Sequence, residues 1–130
     1  MIGLDSTFII DFLSGDEKAV FKAKEFEGTH ILTTSVNVFE VLLGAFLSKK
    51  NSGTQLAAAK ALFARTEVLE ITDSTAETAA RMEADLIMRG REVNVTDILI
   101  AAAYLSRGCT KIITRDKDFE RIREIEVEKY

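Results

Sequence analysis

From Thr96 the chain reads Thr96-Asp97-Ile98-Leu99-Ile100-Ala101-Ala102-Ala103-Tyr104-Leu105-Ser106-Arg107-Gly108-Cys109-Thr110-Lys111-Ile112-Ile113-Thr114-Arg115-Asp116, and this run sets the architecture. Asp97 to Arg107 is apolar nearly all round. A helix of that composition has no face for water and must lie inside the protein. Lys111 to Thr114 is a short apolar strand. It ends directly in an acidic turn, Arg115-Asp116-Lys117-Asp118-Phe119.

The rest of the chain follows the same alternation. Met1 to Leu4 reads as a first strand, followed by a helical turn over Ser6 to Leu13. Asp16 to Glu27 places Ala19, Val20, Ala23 and Phe26 on one helical face, and Gly28 ends it. His30 to Thr33 is a second strand. A helix from Val36 to about Ser48 carries Phe39, Leu42, Leu43, Phe46 and Leu47 at helical spacing. The polar stretch Ser48 to Gly53 is short enough for a helix–helix loop, and an Ala-rich helix runs from Leu56 to Thr66. Val68 to Ile71 is a third strand. Ser74 and Glu77 form a capping-box pattern for a helix reaching Arg89. A short turn or helix at Asp118 to Ile122 leads to a last strand near Glu126 to Tyr130. Short strands separated by helices imply parallel pairing with helices on both faces. The expected fold is a three-layer α/β/α sandwich around a parallel sheet of four to five strands, with residues 1–130 as one domain.

Composition narrows the functional classes. The 130 residues are 47% apolar, enough for one core without a disulfide or structural metal. One cysteine, Cys109, permits no internal disulfide and fits a reducing compartment. It reads as a small buried hydrophobe, because the lone histidine, His30, is far away in sequence. Asp5 and Asp11 interrupt the apolar N-terminus, unlike a secretion signal. The longest apolar run, Ile98 to Leu105, is far short of the roughly 20 residues that span a bilayer. A soluble, cytoplasmic protein with no membrane partner is expected. Net charge is −4, from 17 basic and 21 acidic residues, which disfavours a non-specific nucleic-acid coat. It does not exclude an enzyme acting on nucleic acid through local cations. There is no Walker loop or dinucleotide glycine fingerprint, no zinc-ligand set and no nucleophile elbow.

Four carboxylates stand out. Asp5 directly follows the first strand, where it could also serve as a helix N-cap. Glu40 sits within Val38-Phe39-Glu40-Val41-Leu42-Leu43, with Val36 and Gly44 four residues away on either side. A carboxylate in that setting needs a cation or a donor. Asp97 begins the apolar helix, where capping is again an alternative. Asp116 and Asp118 lie in a turn that needs no function to explain its aspartates. Open parallel sheets place their sites beyond the carboxyl ends of the strands, and the topology sends the first and fourth strands to one edge. Clustered carboxylates repel one another. A divalent cation resolves that conflict, and Mg²⁺ and Mn²⁺ suit oxygen ligands. Such a site suits phosphodiester hydrolysis. A phospho-acceptor signalling domain also uses an α/β sheet and an Asp cluster. Here Asp73, after the third strand, reads as a helix start, and no lysine is suitably placed.

The segments Gly3-Leu4-Asp5-Ser6-Thr7, Ser35-Val36-Asn37-Val38-Phe39-Glu40 with Gly44, Thr96-Asp97-Ile98-Leu99-Ile100-Ala101-Ala102 and Thr114-Arg115-Asp116-Lys117-Asp118-Phe119 resemble, in this order, the PIN-domain nucleases. They are most similar to the VapC-type toxins of toxin–antitoxin pairs, across essentially the whole chain. The resemblance implies a parallel sheet flanked by helices, Mg²⁺ or Mn²⁺, and endoribonuclease activity on RNA. It implies Asp5 and Asp97 as metal ligands and Asp116 as a further one, direct or through water. Glu40 is implied as the fourth acid, Thr114 as the hydroxyl that helps place the attacking water, and Asp118 as a possible outer contributor. It also implies a homodimer and a small protein antitoxin. Lys49, Lys50, Arg89, Arg91 and Arg115 are candidate phosphate contacts. Other readings of the same fold are a nuclease of RNA processing, or a module that binds RNA or protein without cutting.

Overall fold

The computed structural model describes every residue from Met1 to Tyr130. Five strands, β1 (Ile2–Leu4), β2 (Ile31–Thr34), β3 (Glu67–Leu69), β4 (Lys111–Ile113) and β5 (Glu126–Glu128), form one sheet in the order β3-β2-β1-β4-β5. Every pairing is parallel. Six helices connect them: α1 (Ser6–Leu13), α2 (Glu17–Lys24), α3 (Ser35–Leu47), α4 (Ser52–Phe63), α5 (Asp73–Met88) and α6 (Val95–Ser106). A 3-10 turn covers Lys117–Arg121.

Pleat alternation divides the core in two. Ile2, Leu4 and Ile113 join Phe8 and Ile9 of α1, Ala19, Val41 of α3 and Ala59 of α4 in one buried cluster. Leu32 and Ile112 join Ala79 and Leu86 of α5 with Ile98, Ile100, Ala101, Ala102 and Tyr104 of α6 in the other. α6 is buried along most of its length, as its all-round apolar character requires. Cys109 is buried in the same cluster. No helix is long and apolar enough to cross a membrane.

Several local readings change. α5 is capped by Thr72, whose hydroxyl accepts from the Thr75 N–H, and not by a Ser74–Glu77 box. The capping box of this chain lies instead at Thr34–Asn37, at the start of α3. α4 begins at Ser52, four residues before the expected Leu56, after Asn51 turns the chain with a left-handed φ of 57°. On α3 the apolar residues at helical spacing divide between core and surface. Val41 and Ala45 are buried, but Phe39, Leu43, Phe46 and Leu47 are 63%, 44%, 67% and 72% exposed. Periodicity identifies an apolar stripe but not which side of the helix meets the sheet.

Topology fixes where a ligand can sit. From β1 the chain builds outward through β2 and β3, then returns to place β4 and β5 on the other side. The strand order therefore reverses between β1 and β4, and the crevice beyond their carboxyl ends is the switch point of the sheet.

Candidate metal centre

Asp5 leaves β1 at that crevice. Its backbone N–H donates to the Ile113 carbonyl at 3.1 Å, tying it to the end of β4. It occupies the N-cap position of α1, yet its side chain makes no capping bond. Its Oδ2 accepts instead from the Thr114 hydroxyl at 2.7 Å and the Thr7 hydroxyl at 3.0 Å. Burial raises the Asp5 pKa and the nearby Asp116 charge adds to it, opposed by the bonds from Thr114, Thr7 and the Ser6 backbone.

Thr114, fully buried, is the hinge between strand end and acidic turn. While donating to Asp5, its oxygen accepts from the Asp116 N–H at 2.9 Å. Asp116 Oδ1 in turn accepts from the Asp118 N–H at 2.9 Å, capping the 3-10 turn. One hydroxyl therefore fixes two acids from two strands.

Asp97 is the third residue of α6, because α6 begins at Val95 with Asn94 as its cap. The capping explanation for Asp97 fails on that register. Its carboxyl is held at about 7, first by burial and then by the charges of Asp116, Asp5, Glu40 and Asp118. Glu40 reaches the same crevice from α3, where it accepts from Ser6 Oγ at 2.8 Å. The structure thus brings Asp5, Glu40, Asp97, Asp116 and Thr114 to one place.

Carboxylate oxygens of Asp97, Asp116 and Asp118 lie within 4.8 Å of one another and could hold a metal ion. The chemistry of the donors fits a hard divalent cation: oxygen ligands only, with mutual repulsion that a cation would relieve. Asp118 is one of the three acids whose oxygens approach one another most closely. Asp5 lies beside it, with one oxygen already taken by two hydroxyls. Sequence reasoning assigned no role to Ser6 or Asn37, which support Glu40 from below. In the sequence Asn37 appears only within the Ser35–Glu40 segment, three residues before Glu40.

Among the basic candidates, Arg115 flanks the acids and sits 3.3 Å from Asp11 with a largely exposed side chain. Arg89 is held by Asp85 at 2.7 Å. Lys49, Lys50 and Arg91 are exposed.

A five-stranded parallel sheet with carboxylates gathered at its switch point defines a class of α/β proteins whose acidic residues meet beyond the strand ends. The PIN domain family matches residues 2–125, and the chain belongs to that family. No curated protein matches it at a significant level. Among solved structures it is similar to a DNA-bound VapBC from Salmonella typhimurium, with 25% identity, 98% and 96% of the two chains covered and a TM-score of 0.86. VapBC-5 of Mycobacterium tuberculosis, a toxin–antitoxin system, aligns with 26% identity over 98% and 97% of the chains at a TM-score of 0.74. VapC20 of Mycobacterium tuberculosis, a toxin that cleaves the sarcin–ricin loop, shares the fold at 18% identity, 92% and 93% coverage and a TM-score of 0.68.

Proposed function

We propose that this chain is a Mg²⁺- or Mn²⁺-dependent endoribonuclease that hydrolyses RNA phosphodiester bonds, acting as the toxin of a toxin–antitoxin pair. The observation that carries this reading is the convergence of Asp5, Glu40, Asp97, Asp116 and Asp118 on one crevice, with Asp97 raised to about 7 by burial and by the others. PIN family membership and the similarity to VapBC structures support it.

Asp97, Asp116 and Asp118 would hold the cation, with Asp5 available through its less engaged oxygen. When bound, such a cation supplies Lewis-acid polarisation of the scissile phosphate and lowers the pKa of the attacking water. Thr114 keeps Asp5 and Asp116 in register through its two hydrogen bonds. Glu40 presents a proton acceptor from the α3 side. Arg115 stands where it could meet a substrate phosphate. Residues 1–130 would act as a single nuclease domain in the cytoplasm.

The test is cleavage of structured and single-stranded RNAs by the purified protein with Mg²⁺, Mn²⁺ or chelator. Cleavage is expected with either metal and is abolished by chelator. Tight RNA binding without cleavage under all three conditions would replace this reading with a non-cutting module.

Phe39, Leu43, Phe46 and Leu47 leave an apolar stripe on α3 without a cover in the isolated chain. It supports protein partners, a homodimer and a small antitoxin, since exposed apolar patches mark interaction surfaces. Phe46→Lys combined with Leu47→Lys is expected to leave stability within about 0.5 kcal/mol of the original, because neither side chain is buried. The same pair should weaken self-association or antitoxin binding in sedimentation and pull-down measurements. Loss of folding in a melting curve would show the stripe to be core.

A further inference from the structure

Glu40 is held by a hydrogen-bond chain whose direction is forced at both ends. Asn37 is fully buried. Its Oδ1 accepts from the Thr34 backbone N–H at 3.1 Å and from the Thr34 hydroxyl at 2.7 Å. A backbone N–H can only donate, so the end of the amide facing it must be the oxygen. The Nδ2 end therefore faces Ser6 and donates to its Oγ at 2.9 Å. An amide NH₂ cannot accept, so Ser6 must accept from it and spend its single proton elsewhere. That proton goes to Glu40 Oε1, 2.8 Å away.

We propose that Ser6 and Asn37 are positioning residues for Glu40, fixing one of its oxygens as a proton acceptor and leaving Oε2 to serve the acidic crevice. The capping of α3 does not account for this arrangement. The cap uses the Asn37 backbone N–H and Oδ1, and neither Nδ2 nor Ser6 takes part in it. The amide thus has a second task, carried out across 31 residues of sequence. Tyr104 sits behind it, its hydroxyl 3.4 Å from Asn37 Oδ1, and both side chains are fully buried. A free glutamate side chain is among those with the most rotamer freedom to lose on ordering. An acid working at a reacting phosphate must be held to about 0.5 Å. Ser6 supplies that restraint from the residue next to Asp5, so the end of β1 aligns two acids at once. The catalytic part of this proposal rests on the nuclease reading above.

The test compares the unaltered protein with Ser6→Ala, Ser6→Thr, Glu40→Gln and the Ser6→Ala/Glu40→Gln double variant. RNA cleavage in Mn²⁺ gives kcat and KM, and the Glu40 side-chain carboxyl ¹³C resonance of the metal-free protein reports the anchor without RNA. Ser6→Ala should lower kcat about tenfold with KM changed less than about twofold, the pattern of lost transition-state positioning rather than lost binding. Ser6→Thr, which keeps the hydroxyl, should recover most of it. In the Glu40→Gln background Ser6→Ala should add little, because its partner's charge is already gone. The Glu40 resonance should shift in Ser6→Ala. An unshifted resonance, an unchanged kcat in Ser6→Ala, or an equal loss in both backgrounds would each overturn the proposal. If the unaltered protein cuts no RNA, the nuclease reading itself is overturned, and the resonance separates that outcome from failure of the anchor.

Discussion

Asp97→Asn is expected to lower RNA cleavage by about a thousandfold or more while making the metal-free protein harder to melt at neutral and alkaline pH. Loss of activity follows if Asp97 is a cation ligand: a neutral amide is a poorer donor, and a transition state stabilised by the bound metal loses several kcal/mol. The gain in stability follows from what Asp97 costs without a metal. Burial and four neighbouring acids hold its carboxyl at about 7 in the folded chain. In the unfolded chain an aspartate titrates near the ordinary value of about 3.9. Between those values the folded protein retains a proton that the unfolded protein has lost. Stability therefore falls as pH rises through that window, and the full penalty stands above it. Allowing for solvent screening on the open side of the crevice, the penalty is on the order of 1–2 kcal/mol.

Asn at position 97 carries no such charge. Thermal melts in chelator between pH 4 and 8 should therefore show a downward slope for the unaltered protein and a much flatter profile for Asp97→Asn. Added Mn²⁺ should raise the melting temperature of the former and barely move the latter. A variant that melts lower than the original at pH 8 in chelator, or cleaves RNA as well, would remove Asp97 from the role argued here.

The second large effect concerns Gly3, in the middle of β1. A Cβ built there would stand 2.6–2.8 Å from three ring atoms of Tyr104, inside any tolerable contact. Tyr104 has no room to withdraw. Its side chain is fully buried, and its hydroxyl donates to the Leu4 carbonyl at 2.5 Å, with the Leu32 carbonyl at 3.3 Å. Gly3→Ala must push α6 off the sheet or break the tyrosine bond. Overpacking of this kind costs about 3 kcal/mol, a fall of roughly 10 °C in melting temperature for a chain of this size. Asp5 and Asp97 flank this contact along β1 and α6, so cleavage should drop as well. The pair Gly3→Ala with Tyr104→Leu should recover part of the stability by opening space. A melting temperature unchanged in Gly3→Ala would mean that α6 does not lie against β1 as described.

The identity of Gly3 could not be interpreted from sequence alone, and the reason extends to the site. A glycine in a short strand reads as a weak point until the ring opposite is known. Asp5 and Asp97 were equally readable as caps, since an aspartate at a helix start has a local use that requires nothing distant. What decided against capping was backbone register. α6 starts at Val95, two residues before Asp97, and the Asp5 carboxylate turns from its own helix toward hydroxyls on Thr7 and Thr114. Ser74 and Glu77 carried a capping-box pattern for α5, and the backbone placed the cap at Thr72, two residues earlier.

Chemical character and element order were written in the chain. The apolar run after Asp97 could form only a buried helix, the short apolar strands between helices could pair only in parallel, and the acids at strand ends marked the edge where a ligand would lie. Convergence and partnership were decided by folding. The return of the chain across β1 set the fourth strand beside the first and made Asp118 a neighbour of Asp97. The rotation of α3 sent Phe39, Leu43, Phe46 and Leu47 outward and Asn37 inward to Ser6. Residue identity and spacing express preferences that act along one element. The facing of two elements depends on which side chains fill the space between them, and that space exists only once the sheet has closed.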